Sequence, residues 1–360
     1  MSKVFFSPTD KTNEVSLTSR VESLWRAADL ESVLENNALT ALKLHVGEPG
    51  NVTHVAPEIA GALVHCIRRS GGVPFLTDTA VLYKSPRDNG VGHSRVASEH
   101  GFGIEAIGAP FIPADGLLGD DEIELDVPTQ KKKTHFKSVA IASAIIKARS
   151  MIVLSHATGH IGTGLGGALK NLGMGCASKK AKLRQHYGQI PLINPKLCTA
   201  CGTCEGMCPS EAISIPEDAA LIDVSKCIGC GECIVVCRDG AVEFDWTIMG
   251  AELQERIVEH ASAVYRKKPN RIGYITVAEN ITKDCDCFDA AQRPLIEDIG
   301  ILASTDPVAI DSAVLDLIKK RNGRQLTDMT YPKIDASSQV RYAKKMGMGS
   351  GEYEIVTVPS

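Results

Sequence analysis

MIVLSHATGHIGTGLGGALKNLGMGC, residues 151–176, joins a four-residue apolar run to a loop that carries seven glycines, two histidines and a single Lys170-Asn171 pair. A short apolar run that stops at a glycine-rich turn reads as a buried strand of a parallel sheet. The same alternation of short apolar runs with amphipathic stretches recurs on either side. Strands are expected at 42–46, 73–76, 109–112, 273–278 and 299–303, and helices at 57–70, 137–148, 252–266 and 307–320, with another helical stretch closing near His100-Gly101. Pro57 stands at a helix start and Gly71-Gly72 past its end, while Ser304, Thr305 and above all Asp306 are placed to cap the helix that begins at Pro307. Such alternation gives an α/β fold, a mostly parallel sheet covered by helices.

The chain's 360 residues exceed one small domain, and 44% apolar with 23% charged residues is the balance of an ordinary globular protein with a sizeable core. The formal net charge is −4 with acids and bases interspersed, so neither nucleic acid nor an anionic membrane is an expected partner. The one basic run, Lys131-Lys132-Lys133, reads as the solvated start of a helix. The opening residues MSKVFFSPTD lack the charged start and apolar stretch of a signal peptide, and no window approaches the roughly 18 apolar residues of a membrane span. A cytoplasmic location is the expectation.

Twelve cysteines are many for a reducing cytosol unless they hold metal. Cys198, Cys201, Cys204 and Cys208 follow C-x2-C-x2-C-x3-C-P, and Cys227, Cys230, Cys233 and Cys237 repeat the spacing 29 residues later, with Arg238 where the first run has Pro209. Sliding the chain by 29 also pairs Ile193 with Ile222, Ala212 with Ala241 and Ile213 with Val242, so two copies of one unit face each other. With this spacing three thiolates wrap one cubane and the fourth reaches the other. The expected ligand sets are therefore Cys198, Cys201, Cys204 and Cys237 for one 4Fe–4S cluster, and Cys227, Cys230, Cys233 and Cys208 for a second. Zinc also takes C-x2-C pairs but does not account for crossed fourth ligands. Arg238 is expected to make the two potentials unequal. Residues 190–245 resemble the bacterial-type ferredoxins and interrupt the α/β body, which divides the chain into 1–189, an inserted ferredoxin-like α+β module at 190–245, and 246–360.

In parallel sheets ligands gather at the carboxyl ends of strands. After 151–154, the glycines, Gly164, Gly166 and Gly167 among them, let the backbone approach a small anionic cofactor or substrate, with Lys170 as a point charge, Asn171 beside it and the next helix N-terminus as donor. The same glycines also suit tight packing on the sheet. The segment is not a Walker loop, since Asn171 follows the lysine. His156 and His160 share it, and His93 and His100 follow the strand at 73–76 together with Thr77-Asp78-Thr79, Tyr83 and Arg87. Cys285-Asp286-Cys287 follows the strand at 273–278; with Cys66 and Cys176 it makes four thiols outside the two runs. They allow an additional metal, a redox-active pair beside the substrate, or inert buried thiols.

LTDTAVLY (76–83), GHSRVASEHGFG (92–103), SHATGHIGTGLGGALKNLGMG (155–175), and CDCF (285–288) followed by DIGILASTDPVAID (298–311) spread over nearly the whole chain. In these segments it resembles a family of iron–sulfur proteins with an uncharacterised α/β domain carrying an inserted ferredoxin, which implies the fold and the cluster type but no substrate. It is also similar in pattern to the nickel-pincer lactate racemases. That similarity implies a proton-transferring role for His93 in GVGHSR, a counterpart role for His156, and a cofactor or substrate anchor at Lys170 in GGALK, with Leu169 where the racemase pattern has Arg.

Two functions fit. In the first, an iron–sulfur oxidoreductase takes single electrons from a redox partner protein and passes them to a small anionic substrate, with His93, His156, Lys170, Cys285 and Cys287 as the catalytic candidates. In the second, an electron carrier uses its α/β body to dock a partner enzyme. The concentration of Gly, His, Lys and paired Cys at strand ends favours the enzyme.

Overall fold

The central sheet, among the described residues, has seven strands in the order Tyr353–Thr357, Ser2–Pro8, Gly300–Ser304, Ile272–Ala278, Ser150–His156, Leu39–Lys43 and Val73–Thr77. The last four run parallel. Gly300–Ser304 is antiparallel to both its neighbours, and Tyr353–Thr357 runs parallel to Ser2–Pro8. The computed structural model describes residues 1–9, 15–128, 134–186, 190–227, 231–243 and 250–359, apart from the side chain of Val235. The Lys131-Lys132-Lys133 run and Cys230 lie outside the described residues.

Strand alternation sends successive residues to opposite faces. Met151 and Val153 therefore enter one core with Tyr274, Leu169, Leu172, Val258 and Val308. Ile152 and Leu154 enter the other with Ile275, Leu24, Ile59 and Leu63. The helices Leu17–Ala27 and Pro57–Arg69 cover the second face; Ala168–Gly173, Ala251–Lys267 and Pro307–Asn322 cover the first. This is the α/β architecture that the alternation implied. Among the described residues no helix is long and apolar enough to cross a membrane.

Some elements differ from expectation. Residues 137–148 form no long helix: Ser138–Ala142 is a strand paired antiparallel with Glu122–Asp126, and only Ser143–Lys147 is helical. A continuous apolar run such as SVAIASAII has no period that separates strand from helix, and the cross-strand pairing decides. Residues 109–112 supply only an isolated bridge, Leu76 to Phe111, since Pro110 and Pro113 remove the backbone donors a strand needs. The strand expected at 42–46 is Leu39–Lys43, and the strands Ser2–Pro8 and Tyr353–Thr357 add to those expected.

Within residues 190–243 the 29-residue repeat is intertwined. Leu192–Ile193 pairs with Val242–Glu243, and Ile213–Ser214 with Leu221–Ile222, so each small sheet takes one strand from each copy. The backbone repeats the bonds: Asn194 N–H donates to Ala241 O at 2.8 Å, as Asp223 N–H does to Ala212 O at 2.7 Å. Gly202 and Gly231, also 29 apart, both take left-handed conformations (φ 78° and 83°) before their short helices, Thr203–Gly206 and Glu232–Val236.

Two carboxylates fix helix starts beside the site. Asp306 accepts from Val308 N–H at 2.8 Å and Ala309 N–H at 2.9 Å, the cap its position suggested. Asp311, from the same helix, reaches across to accept from Ala168 N–H at 2.8 Å and Leu169 N–H at 2.9 Å. A Cβ at Gly167 would stand 2.6 Å from Asp311 Oδ1, which is why glycine precedes this helix. The donors that the sequence offered to an external anion are thus taken by the chain's own carboxylate. Burial pushes the Asp311 carboxyl up to about 6 against the pull of those two bonds. Asp311→Ala orphans two buried donors and should cost about 2–3 kcal/mol in denaturant unfolding; Asp311→Asn, which keeps an acceptor, should cost less, and equal losses would contradict the cap.

Candidate functional site

Because Leu39–Lys43, Val73–Thr77 and Ser150–His156 are parallel, their carboxyl ends share one edge of the sheet. That edge carries Lys43, Asp78, Ser155 and His156, and the following loop and helix return Lys170 and Asn171 over it. A cavity lies there, bordered by Cys285-Asp286-Cys287 from the loop after Ile272–Ala278. A wider, largely apolar cavity continues from it past Tyr83, Lys170, His186, Cys285 and Cys287, with Leu253 and Phe288 in its walls.

The floor is held by ion pairs. Lys43 Nζ donates to Asp78 Oδ1 at 2.8 Å, to Asn171 Oδ1 at 2.7 Å and to the Leu44 carbonyl at 3.1 Å. Burial works to raise the Asp78 carboxyl, but Lys43 and, after it, His93 and His45 hold it well below the usual carboxylate range. Asn171 Nδ2 donates to the Leu154 carbonyl at 2.9 Å and to Ser155 Oγ at 3.1 Å, so its amide ties the helix to the strand end instead of facing a ligand. Arg87, fully buried, reaches Glu48 Oε1 at 2.6 Å, and the Tyr83 hydroxyl lies 2.7 Å from the same oxygen and 3.1 Å from the Cys287 carbonyl.

His156 has Nδ1 2.9 Å from Asp286 Oδ2 and Nε2 2.8 Å from the Glu279 carbonyl. Both neighbours accept, so both ring nitrogens donate and the imidazolium is the form that fits. Burial opposes it, but the Asp286 charge outweighs burial and raises the pKa above 6.5. His156 therefore clamps the residue between the two cysteines and has no nitrogen left for proton transfer. His93 is fully buried with Nε2 3.5 Å from Asp78 Oδ2 and its ring on Phe111; burial takes its pKa down to about 4, and it lines neither cavity. Gly166 and Gly167 do line the inner cavity, whereas Gly164 (φ +73°) faces Thr327 and Ala336 away from it.

The remaining catalytic candidates are Lys170, Cys285 and Cys287. Burial works against the Lys170 ammonium, but Cys285, Cys287 and Asp286 together raise its pKa. Gly47 N–H donates to His45 Nδ1 at 3.0 Å, which places the ring proton on Nε2, and that nitrogen lies 3.6 Å from Cys287 Sγ. His160 is fixed likewise: Gly162 N–H and Thr163 N–H, both at 3.1 Å, point at its Nδ1, and burial ahead of Lys170 keeps it neutral. Lys43 and His45 went unnoticed in the sequence, although both sit at the carboxyl end of a strand, the position that drew attention to the other strand ends.

The two cysteine runs surround two further cavities. Cys198, Cys201, Cys204 and Cys237 line one; Cys208, Cys227 and Cys233 line another. Each cavity thus takes its last cysteine from the opposite run. Ala212 N–H donates to Cys208 Sγ and Ala241 N–H to Cys237 Sγ, both at 3.2 Å, and Ala220 N–H to Cys198 Sγ at 3.4 Å. Among the described residues no three His, Cys, Asp or Glu side chains converge as ligands of one ion must.

One helix, Lys179–Gln185, separates the two regions. Its Lys182 lines the inner cavity, while its Lys180 pairs with Glu232 at 2.8 Å and its Leu183 packs with Leu82, Cys204, Cys233 and Ile234. Leu82 itself lines the inner cavity, and Lys84, in the wall of the outer one, meets the position of a Gly240 Cβ at 3.5 Å. Residues in the walls of both cavities thus contact the segment that carries the cysteine runs.

The His156–Asp286 clamp has a defined pH window. The raised His156 pKa makes its share of stability complete below 6.5 and lost as pH rises through the folded value; the Asp286 pKa is lowered, so its share is lost only in acid, below 3.8. Denaturant titrations on the two sides of 6.5 should show the native chain losing stability on the alkaline side and His156→Gln losing less; parallel curves would contradict an imidazolium.

No curated protein matches the chain. Among solved structures it is similar to the lactate racemase apoprotein from Thermoanaerobacterium thermosaccharolyticum, at 13% identity and a TM-score of 0.36, over 77% of this chain and 50% of that one. The chain thus spans about half the length of that protein, and a score this low says nothing about its fold or chemistry. Residues 40–316 match the family described as a domain of unknown function, DUF362, and the chain belongs to that family.

Proposed function

We propose that this chain is an iron–sulfur oxidoreductase that serves a small anionic substrate in the cavity beside Lys170, with electrons exchanged through a redox partner protein. Cys198, Cys201, Cys204 and Cys237 would hold one 4Fe–4S cluster, and Cys227, Cys230, Cys233 and Cys208 the other, with residues 190–245 acting as an inserted ferredoxin-like module. When bound, clusters of this kind supply one-electron transfer. The observation that carries this reading is the crossing of the runs, with Cys237 beside the first three cysteines and Cys208 beside Cys227 and Cys233. The carrier alternative leaves a closed floor of ion pairs and a cavity open to small molecules without a use.

The chain's own residues then have defined tasks. Lys170 attracts the anion. His160 presents an Nε2 proton from the outer cavity, and its neutral ring adds no charge. Lys43, Asp78 and Asn171 hold the floor rigid, while His156 and Asp286 fix the cysteine turn. Leu82, Leu183 and Met174 keep water away between the cavity and the cysteine runs.

Protein purified without oxygen should hold about eight iron and eight sulfide per chain. Cys237→Ser should disturb the same half of the iron signal as Cys201→Ser, and Cys208→Ser the other half; a Cys237 variant that behaves like a Cys227 variant would contradict the crossed ligation. Calorimetric titration with small carboxylates should give affinities that fall at least about tenfold in Lys170→Met, the loss of one charge-assisted bond. Unchanged affinity would remove Lys170 from the substrate site.

A further inference from the structure

Two thiols outside the runs, Cys66 and Cys176, are buried against apolar surroundings, and burial pushes both up to about 11. Cys285 and Cys287 differ in their neighbours and their access to solvent. They occupy positions one and three of a turn closed by Phe288 N–H to the Cys285 carbonyl at 3.1 Å, and Asp286 between them is anchored to His156 at 2.9 Å. Both line the inner and the outer cavity, so a small molecule entering from solvent reaches them. His45 Nε2–H points at Cys287 Sγ from 3.6 Å, and Tyr83 lies 3.1 Å from the Cys287 carbonyl.

We propose that Cys285 and Cys287 form a two-electron dithiol centre for low-molecular-weight disulfides, with Cys287 as attacking thiolate and Cys285 as resolving thiol. The Cys285 thiol donates to Cys287, and against burial Lys170 and His45 add to hold Cys287 well below the usual thiol range; the same bond, with burial, pushes Cys285 well above it. The thiolate sulfur attacks one sulfur of the disulfide RSSR, a Cys287–SR bond forms, and RS⁻ leaves. The Cys285 sulfur then attacks Cys287, the intramolecular disulfide forms, the second RS⁻ leaves and takes up the Cys285 proton. The protein's dithiol is oxidised by two electrons and RSSR is reduced by two. A disulfide in so short a turn is strained, which makes it an oxidising, readily reduced centre and not a structural bond. This chemistry goes beyond the cluster reading and does not require it.

Alkylation with iodoacetamide over a pH series, mapped by peptide mass in oxygen-free protein, tests the thiolate. Cys287 should react at neutral pH at least tenfold faster than Cys66 or Cys176, and His45→Phe should move its midpoint to higher pH. Glutathione disulfide tests the pair: the native chain should lose two hydrogens at Cys285 and Cys287 and keep no adduct, while Cys285→Ser should retain one glutathione on Cys287. Alkylation of Cys287 no faster than of Cys66, or a Cys285→Ser chain that alkylates but takes up no glutathione, would overturn the proposal. Labelling of the cysteines at 198–237 in the same maps would instead count against the clusters and leave the Cys287 result standing.

Discussion

A charge taken out of water survives only beside an opposite one, and that constraint shapes everything at the carboxyl edge of this sheet. Lys43 has Asp78, Arg87 has Glu48 and His156 has Asp286, all nearly excluded from solvent. Loss of one member of such a pair typically costs about 3–5 kcal/mol because the other is left uncompensated. The pairs also join distant parts of the chain: Lys43 and Asp78 end neighbouring strands, and Asp286 belongs to a loop 130 residues from His156. Rigid ends of this kind let the reactive residues between them keep a fixed geometry.

Lys170 differs from these pairs, since two cysteines as well as the Asp286 carboxylate favour its charged form. If Cys285 and Cys287 form the proposed dithiol, their oxidation leaves Asp286 as the remaining counter-charge, and an entering anion would replace what was lost; substrate binding and thiol redox state would then be linked. The Lys179–Gln185 helix adds the second connection, because it offers Lys182 to the cavity and Leu183 to the cysteine runs.

Much of this was legible in the sequence because it is local or periodic. The buried strand at 150–156, the helix from Pro307 with its Asp306 cap, and the 29-residue repeat each leave a signal within a few dozen residues. The crossed arrangement of Cys208 and Cys237 follows from spacing chemistry. What stayed hidden depends on partners far away in sequence. Asp311 caps a helix start 143 residues distant, and nothing in GGALKN tells that its first donors are already spent. Residues 138–142 read as helix until the pairing with Glu122–Asp126 is known. His93 and His156 look alike as histidines near strand ends, yet one is neutral behind Asp78 and the other a clamped cation, a distinction made only by what surrounds each ring.

The central claim is that the cysteine runs and the Lys170 cavity are parts of one electronic unit. A trifluoromethyl group attached to Cys287 through a thioether in oxygen-free protein, with its fluorine spin relaxation measured before and after reduction, addresses this directly. The account predicts a strong acceleration of that relaxation once the cysteine-bound iron becomes paramagnetic. Relaxation that stays the same on reduction, in protein with its full complement of iron, would contradict it.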